Sequence, residues 1–327
     1  MMVSRDQDLI LRGPCKLRVL KGDVQILGLK SLEYEIKGPS TFTVHSEDRG
    51  EVEGDCKVVA KVKSLGWDGL AEVVAETGGR VLVIGGSDSG KTYLSKLIYN
   101  IAEGFSFVDL DVGQSSLFLP AFISKFGGGK LWLDNELNFT QAEFFGDISP
   151  SRYPQRHLDL SVKLAWDNNL IVDTDGWISK SGFKHKVKLI EILEPEYILV
   201  MDNELLNRMP EEYQDRIVLV RKVPLDLQKT REARIKNRQA LYKRYFSKSS
   251  LVSVSLDGRR TGMRSPFCYP AHLLNGLLVG LLKEDKIVGA GLMRIAEDTK
   301  IMTPLESFDD YILGFVSITE EGNEIRL

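Results

Sequence analysis

At 327 residues the chain is longer than one hydrophobic core usually serves, and two or three domains are expected. A composition of 43% hydrophobic and 27% charged residues excludes the disordered, fibrous and collagen-like classes. The net charge of −3 weighs against a uniformly basic, nucleic-acid-binding body and leaves room only for a local basic surface.

Cys15, Cys56 and Cys268 lie far apart with no C-x-x-C pair, so they read as reduced intracellular thiols, neither a zinc site nor a disulfide framework. The N-terminal MMVSRDQDLI lacks the apolar core of a signal peptide. No apolar run approaches the roughly 20 residues of a membrane helix, so no membrane contact and a cytoplasmic location are expected.

Residues 1–75 alternate apolar and polar positions in short runs (Lys16–Leu20, Asp23–Gly28, Tyr34–Ile36, Thr41–Val44, Glu51–Glu53, Cys56–Val62) separated by turn residues. Period two predicts a small antiparallel β domain. Glu72–Glu76 reads as a short helix or linker before the next strand.

Residues 76–248 change texture to apolar strands alternating with helical stretches, the pattern of a parallel sheet flanked by helices. The strands expected are Val81–Ile84, Phe105–Asp109, Leu170–Asp173, Tyr197–Met201 and Ile217–Val220; the helices are Thr92–Ala102, Tyr153–Asn168, Lys184–Leu193 and Asp226–Phe246. Between the first strand and the first helix, Gly85-Gly86-Ser87-Asp88-Ser89-Gly90-Lys91-Thr92 matches G-x-x-x-x-G-K-[ST], followed by Tyr93. Gly85, Gly86 and Gly90 can take φ > 0 and let successive backbone N–H groups face a phosphate chain. Lys91 adds a charge for the β/γ oxygens, and the Thr92 hydroxyl can ligate Mg²⁺. A nucleoside triphosphate is the expected ligand.

Two further strand ends carry carboxylates. Phe105–Asp109, expected beside the phosphate-loop strand, runs into Asp109-Leu-Asp111-Val-Gly-Gln114, where one carboxylate can orient and the other act on Mg²⁺ or a hydroxyl. Leu170–Asp173 ends in Asp173-Thr-Asp175-Gly176-Trp177, an apolar strand closed by an Asp that can hold the metal directly or through water. Trp177 serves either as core or as a stacking platform for a base. Arg231, Arg234 and Arg238 share one helix face, either as a solvated surface or as a lid of guanidiniums over the triphosphate. The four histidines have no metal-ligand spacing and receive no chemistry.

Residues 249–327 return to short strands (Leu251–Leu256, Lys286–Ile295, Asp310–Ile318) with a helical piece near Leu273–Leu282, a small mixed α/β domain. The fold class expected is α/β: a central P-loop NTPase domain with a parallel sheet, flanked by an N-terminal β domain and a small C-terminal mixed domain.

Taken together, the Walker A loop, Asp109–Gln114, Phe145-Gly-Asp-Ile-Ser149-Pro150, Asp173–Gly182 and the arginine helix resemble, in order, the Clp1/Grc3/Nol9 family of polynucleotide 5′-hydroxyl kinases, archaeal members above all. The resemblance spans about residues 10–250, and its Asp-Val-Gly-Gln and Gly-Trp motifs are more specific than Walker A alone. It implies ATP and Mg²⁺ as cofactors and an RNA 5′-OH end, with DNA as an alternative, as acceptor; it names no protein partner. It further implies that Lys91 and Thr92 bind ATP and Mg²⁺, that Asp111 activates the hydroxyl, that Ser149 and its neighbours grip substrate or phosphates, that Trp177 stacks a base, and that Arg234 and Arg238, with Arg231 beside them, are the lid arginines. Gln114 and Arg231 are further expected to contact substrate; Asp109 and Asp173 are expected at the metal from their strand ends, although Asp173 stands where eukaryotic members often have other residues. Two rivals stand beside this reading: an ATP-bound scaffold subunit of an RNA-processing complex, and a regulatory GTPase or ATPase. The guanine-reading N-K-x-D motif is missing, with Met201-Asp-Asn-Glu at the comparable strand end.

Overall fold

The computed structural model describes residues 1–223, 229–255, 269–296 and 298–327. Asp226, Leu256 and Cys268, each part of an expectation above, lie outside the described residues. The chain forms two units, each drawn from three stretches: Met1–Val108, Gly127–Glu136 and Ala165–Gln228 in the first, and Asp109–Phe126, Leu137–Leu164 and Lys229–Leu327 in the second.

The first unit opens with an antiparallel sheet of nine strands among the described residues. Alternation sets its faces: Cys15–Lys21 turns Cys15 and Leu17 inward, and Glu33–Ile36 turns Tyr34 and Ile36 inward. Antiparallel pairing of Leu17 with Gly54 carries on to set Cys15 beside Cys56, and the two form a disulfide with Cα atoms 4.8 Å apart. The expectation of reduced thiols is therefore corrected for this pair. Sequence spacing hid a contact that strand register creates.

A helix over Trp67–Thr77, longer than expected, follows, bounded by Gly66 and Gly78, both at φ 73°. It buries Trp67, Ala71 and Val74 along one stripe. Next comes a parallel sheet with strands in the order Ser106–Asp109, Leu170–Asp173, Arg80–Ile84, Tyr197–Val200, Ile217–Leu219. The second strand in sequence thus pairs with Leu170–Asp173, not with the phosphate-loop strand as expected. Arg80–Val83 runs in parallel register with Leu170–Asp173, and Val81–Ile84 with Tyr197–Val200. These strands are almost entirely buried, as apolar runs covered on both faces must be.

Where the Trp67 helix meets the β sheet, the buried Asp8, Gln25 and His45 meet the less buried Asp68. His45 Nδ1 lies 2.7 Å from Asp8 Oδ1 and 3.8 Å from Asp68 Oδ2, while Asp68 Oδ1 accepts a bond of 2.8 Å from Gln25 Nε2. Burial opposes charge on His45, but the Asp8 carboxylate, with Asp68 and Glu47, outweighs it and raises the imidazole above its ordinary value. Burial pushes Asp68 up to about 6 against the pull of His45.

The second unit contains a hairpin, Phe122–Phe126 with Gln141–Phe144, that the sequence pattern did not disclose. It also holds a six-stranded antiparallel sheet among the described residues. Of the helical piece expected near Leu273–Leu282, the start falls in a short helix over Ala271–Leu274, while Leu277–Lys283 is a central strand of that sheet, paired on both sides. A continuous apolar run fits a doubly covered strand as well as a buried helix. Here Gly280 decides: a Cβ on it would sit 2.6 Å from Phe144 Cβ, so the strand lies flat against the hairpin. Phe118, Phe122, Phe144, Tyr242, Leu278 and Leu292 form this core. The Arg231–Phe246 helix, capped by Thr230 accepting from Ala233 N, sends Tyr242 into it.

Both His45 and Asp68 have folded pKa values above their unfolded ones, so their contribution to stability is complete below pH 4 and is lost as pH rises through about 6 and beyond. Urea midpoints of the wild type should accordingly fall between pH 5 and pH 8. Asp68→Asn, which keeps the acceptor for Gln25, should show a clearly flatter profile; parallel profiles would remove the cluster as the cause.

Candidate active site

The expected site residues fall in both units, each described by itself. In the first, the Gly85–Lys91 loop leaves the buried Arg80–Ile84 strand and enters the Lys91–Ile101 helix. Only Gly90 of its three glycines has positive φ, 99°, joined by Asp88 at 59°. Gly85 and Gly86 do not take the left-handed region foreseen for them. Gly85 is required for space instead, since a Cβ there would lie 2.7 Å from Ser89 Oγ and 3.1 Å from Met201 Cβ. On Gly90 a Cβ would meet the Trp67 ring at 2.9 Å. Trp67 is itself fixed by a bond from Nε1 to Arg221 O of 2.8 Å.

Lys91 Nζ is folded back onto the loop, donating to Gly86 O at 2.7 Å. Thr92 Oγ1 donates to Asp173 Oδ2 at 2.6 Å, and Ser95 Oγ donates to Asp173 Oδ1 at 3.3 Å. The hydroxyl and carboxylate are hard oxygen donors side by side at the loop's end, the donor set a Mg²⁺ ion takes, so the residues present fit that ion. Tyr93 does not turn its side chain to the loop: its hydroxyl donates to Thr43 O and accepts from Leu27 N in the N-terminal sheet.

The turn after Asp173 is packed on the loop. A Cβ on Gly176 would lie 2.3 Å from Ser87 Oγ. Asp175 Oδ1 accepts from Trp177 N at 2.7 Å, while Oδ2 is held at 2.6 Å by Lys186, whose side chain is fully buried. Trp177 is half-buried, 5.6 Å from the His185 ring, and Gly182 leaves room for it. Lys186 was not singled out in the sequence: a Lys eleven positions past an Asp has no local signature.

In the second unit the buried Asp109 carboxylate shapes its own turn. Oδ1 accepts from Asp111 N at 2.9 Å, and Oδ2 accepts from Ser116 N at 2.6 Å and Ser115 Oγ at 3.1 Å. Burial, then the Asp111 charge, push Asp109 up to about 6. Asp111 is less buried, and its Oδ1 accepts from Gly113 N and Gln114 N at 2.9 and 2.8 Å. Gln114 bonds Gly113 O through Nε2. Ile148 O comes within 2.9 Å of a Cβ built on Gly113, which brings the Ser149 segment against the Asp111 turn. Ser149 Oγ lies 2.9 Å from Ser151 Oγ.

On the basic helix Arg231 is exposed and Arg234 half-buried. Arg238 is engaged by Glu324, Nε to Oε1 and Nη2 to Oε2 both at 2.6 Å, a bidentate pair with little solvent access.

The family description "mRNA cleavage and polyadenylation factor CLP1 P-loop" matches residues 85–248. A polyribonucleotide 5′-hydroxyl-kinase of Pyrococcus furiosus is 31% identical over 191 residues, covering 54% of this chain and 53% of that protein. One of Methanocaldococcus jannaschii is 24% identical over 323 residues, covering 76% of this chain and 89% of that protein. The match to the Pyrococcus protein thus spans about half of its length. A solved structure titled wild-type Clp1p–Pcf11p (454–563) complex superposes with a TM-score of 0.71 at 16% identity over 96% of both chains, a likeness of fold.

Replacing one partner of a buried ion pair leaves the other charge uncompensated. Lys186→Met is expected to destabilise the protein by about 3–5 kcal/mol in urea unfolding, with Asp175→Asn added to it recovering most of the loss. Unchanged midpoints in the single variant would mean that the pair does not hold the Trp177 turn.

Proposed function

Because the chain belongs to the family of the CLP1 P-loop, we propose that it is an ATP-dependent polynucleotide 5′-hydroxyl kinase that transfers the γ-phosphate to a 5′-OH end of RNA. The observation that carries this reading is the Thr92–Asp173 pair at the end of a Lys91-bearing phosphate loop. Names of relatives such as those from Pyrococcus and Methanocaldococcus support the acceptor.

The working parts follow from the side chains. Backbone N–H groups of Gly86–Lys91 bind the phosphate chain, and Lys91 exchanges Gly86 O for its oxygens. Thr92 and Asp173 would hold Mg²⁺, which when bound draws charge from the β/γ oxygens. Asp109, spent on its turn, acts by orienting Asp111. Asp111 takes the proton as the 5′ oxygen bonds to phosphorus and the β,γ-bridging bond breaks. Trp177 offers its ring to the acceptor base, with Gln114 and Ser149 as polar contacts. Arg231 and Arg234 carry lid charge. Arg238 joins them only by exchanging Glu324, and otherwise anchors the lid helix.

The functional division proposed is 1–75 as N-terminal β domain, 76–248 as kinase domain with lid, and 249–327 as C-terminal domain. Among the described residues no helix is long and apolar enough to cross a membrane. We place the protein in the cytoplasm. A Cys15–Cys56 bond persists there chiefly in hyperthermophiles.

The deciding assay is transfer of label from γ-labelled ATP with Mg²⁺ to 5′-OH against 5′-phosphate RNA and DNA oligonucleotides. Lys91→Ala should abolish transfer. Asp111→Asn, whose amide oxygen still accepts from Gly113 and Gln114, should bind ATP yet lose transfer by about 100-fold or more. Trp177→Ala should raise KM for the oligonucleotide about 10-fold, the loss of roughly 1–3 kcal/mol of stacking, with KM for ATP unchanged. Transfer at the wild-type rate by Lys91→Ala would reject the kinase reading; a fully active Asp111→Asn would reject only the assignment of the base.

A further inference from the structure

Asp147 is completely buried in the Phe145–Pro150 segment and is shared by two guanidiniums. Arg152 Nη1 reaches its Oδ2 at 3.4 Å, and Arg326 Nη2, from the last strand of the chain, reaches its Oδ1, which also accepts from Ser149 N at 3.2 Å. One carboxylate thus compensates two cations, leaving a net charge of about +1 on the pair. Both arginine side chains keep solvent access, 35% for Arg152 and 38% for Arg326. Each guanidinium carries five N–H donors, of which the bond to Asp147 uses one. The hydroxyls of Ser149 and Ser151 stand on the same segment, 2.9 Å apart. An outward-facing, carboxylate-braced pair of guanidiniums beside two hydroxyls is suited to an oxyanion of phosphate geometry. An ordinary surface ion pair would match one cation to one carboxylate; here there is a cation in excess, and the carboxylate holding both is out of solvent.

We propose that Arg152 and Arg326 clamp a backbone phosphodiester of the acceptor strand, with Asp147 as the buried brace that aims them. This rests on the kinase reading for its substrate class. The segment that carries the clamp packs by Ile148 O against Gly113 of the Asp111 turn, so a strand whose 5′-OH reaches Asp111 has its following phosphates in the neighbourhood of Ser149. The clamp reads the backbone and not the base, and it gives the C-terminal strand a part in substrate binding.

The test uses the full chain and a 5′-OH RNA decamer labelled at its 3′ end. Anisotropy titrations over a range of KCl, which need no turnover, should give Arg326→Gln and Arg152→Gln each about 5- to 10-fold weaker binding and a salt slope reduced by about 0.7 per arginine. Arg326→Lys, which keeps the charge and the contact to Asp147, should restore the slope and guards against a fold defect. In transfer assays the same Gln variants should raise KM for the decamer with kcat and KM for ATP unchanged. For an unphosphorylated 5′-OH nucleoside as acceptor they should match the wild type. Equal affinity and equal salt slope in wild type and both Gln variants would overturn the clamp, as would an equal loss on the nucleoside. Failure of the wild type to transfer label while the anisotropy differences persist would instead overturn the kinase reading and leave the phosphodiester site standing.

Discussion

The constraint on which the first unit is built is the close packing of the phosphate loop's backbone. Gly85 has no room for a Cβ beside Met201 and Ser89, Gly90 none beside Trp67, and Gly176 none beside Ser87. A cradle of amides works only if the main chain itself can be approached, so side chains are stripped from it and the surrounding elements close in. The end of the Tyr197–Val200 strand, the start of the Trp67 helix and the Asp173–Trp177 turn are thereby fixed to one loop. Each contributes what the loop lacks: a sulfur and apolar wall from Met201, a rigid indole tied to Arg221, and a carboxylate 2.6 Å from Thr92.

Buried carboxylates organise the rest, and each is compensated differently. Asp175 has an ammonium, Asp147 two guanidiniums, and Asp109, among the described residues, hydroxyl and amide donors. Burial and the second carboxylate, set against neutral donors, leave Asp109 pushed up to about 6. The cost buys a turn in which Asp111 is presented by its neighbour's hydrogen bonds. The more accessible carboxylate is left facing outward while the hidden one holds the turn, so that the carboxylate open to a ligand is fixed by one that is not.

The sequence made the phosphate loop, the carboxylate-ended strands and the N-terminal β texture legible because each depends on local chemistry: glycine where backbone must be bare, period two where one face is wet. Strands Lys286–Ile295 and Asp310–Ile318 are placed residue for residue. What depends on pairing was not legible. The Cys15–Cys56 bond follows from the register of Leu17 with Gly54, and the Phe122–Phe126 hairpin sits in a segment without alternation because all five of its residues are buried. Leu277–Lys283 misled for the same reason. Thr92 and Asp173 in the first unit and Asp111 in the second could be singled out from motifs as candidates. Lys186, Asp147 and Arg326 could not, since a buried counter-charge is chosen by the fold and leaves no spacing rule.

The last strand of the chain, Glu324–Arg326, connects two of these devices. At period two Glu324 and Arg326 project to the same side of the strand. Glu324 holds Arg238 of the Arg231–Phe246 helix, reinforced by Gln239 Nε2 donating to the neighbouring Asn323 Oδ1 at 2.8 Å, while Arg326 holds Asp147 of the segment packed against the Asp111 turn. Antiparallel bonds from Val316–Ile318 keep the strand's register, so neither residue can shift alone. Any exchange in which Arg238 leaves Glu324 therefore perturbs a strand that also braces Asp147. Two charged residues, two positions apart on a three-residue strand, couple the Arg231–Phe246 helix to the segment beside the Asp111 turn inside a single unit, and they do so with ion pairs that can exchange partners where apolar packing could not.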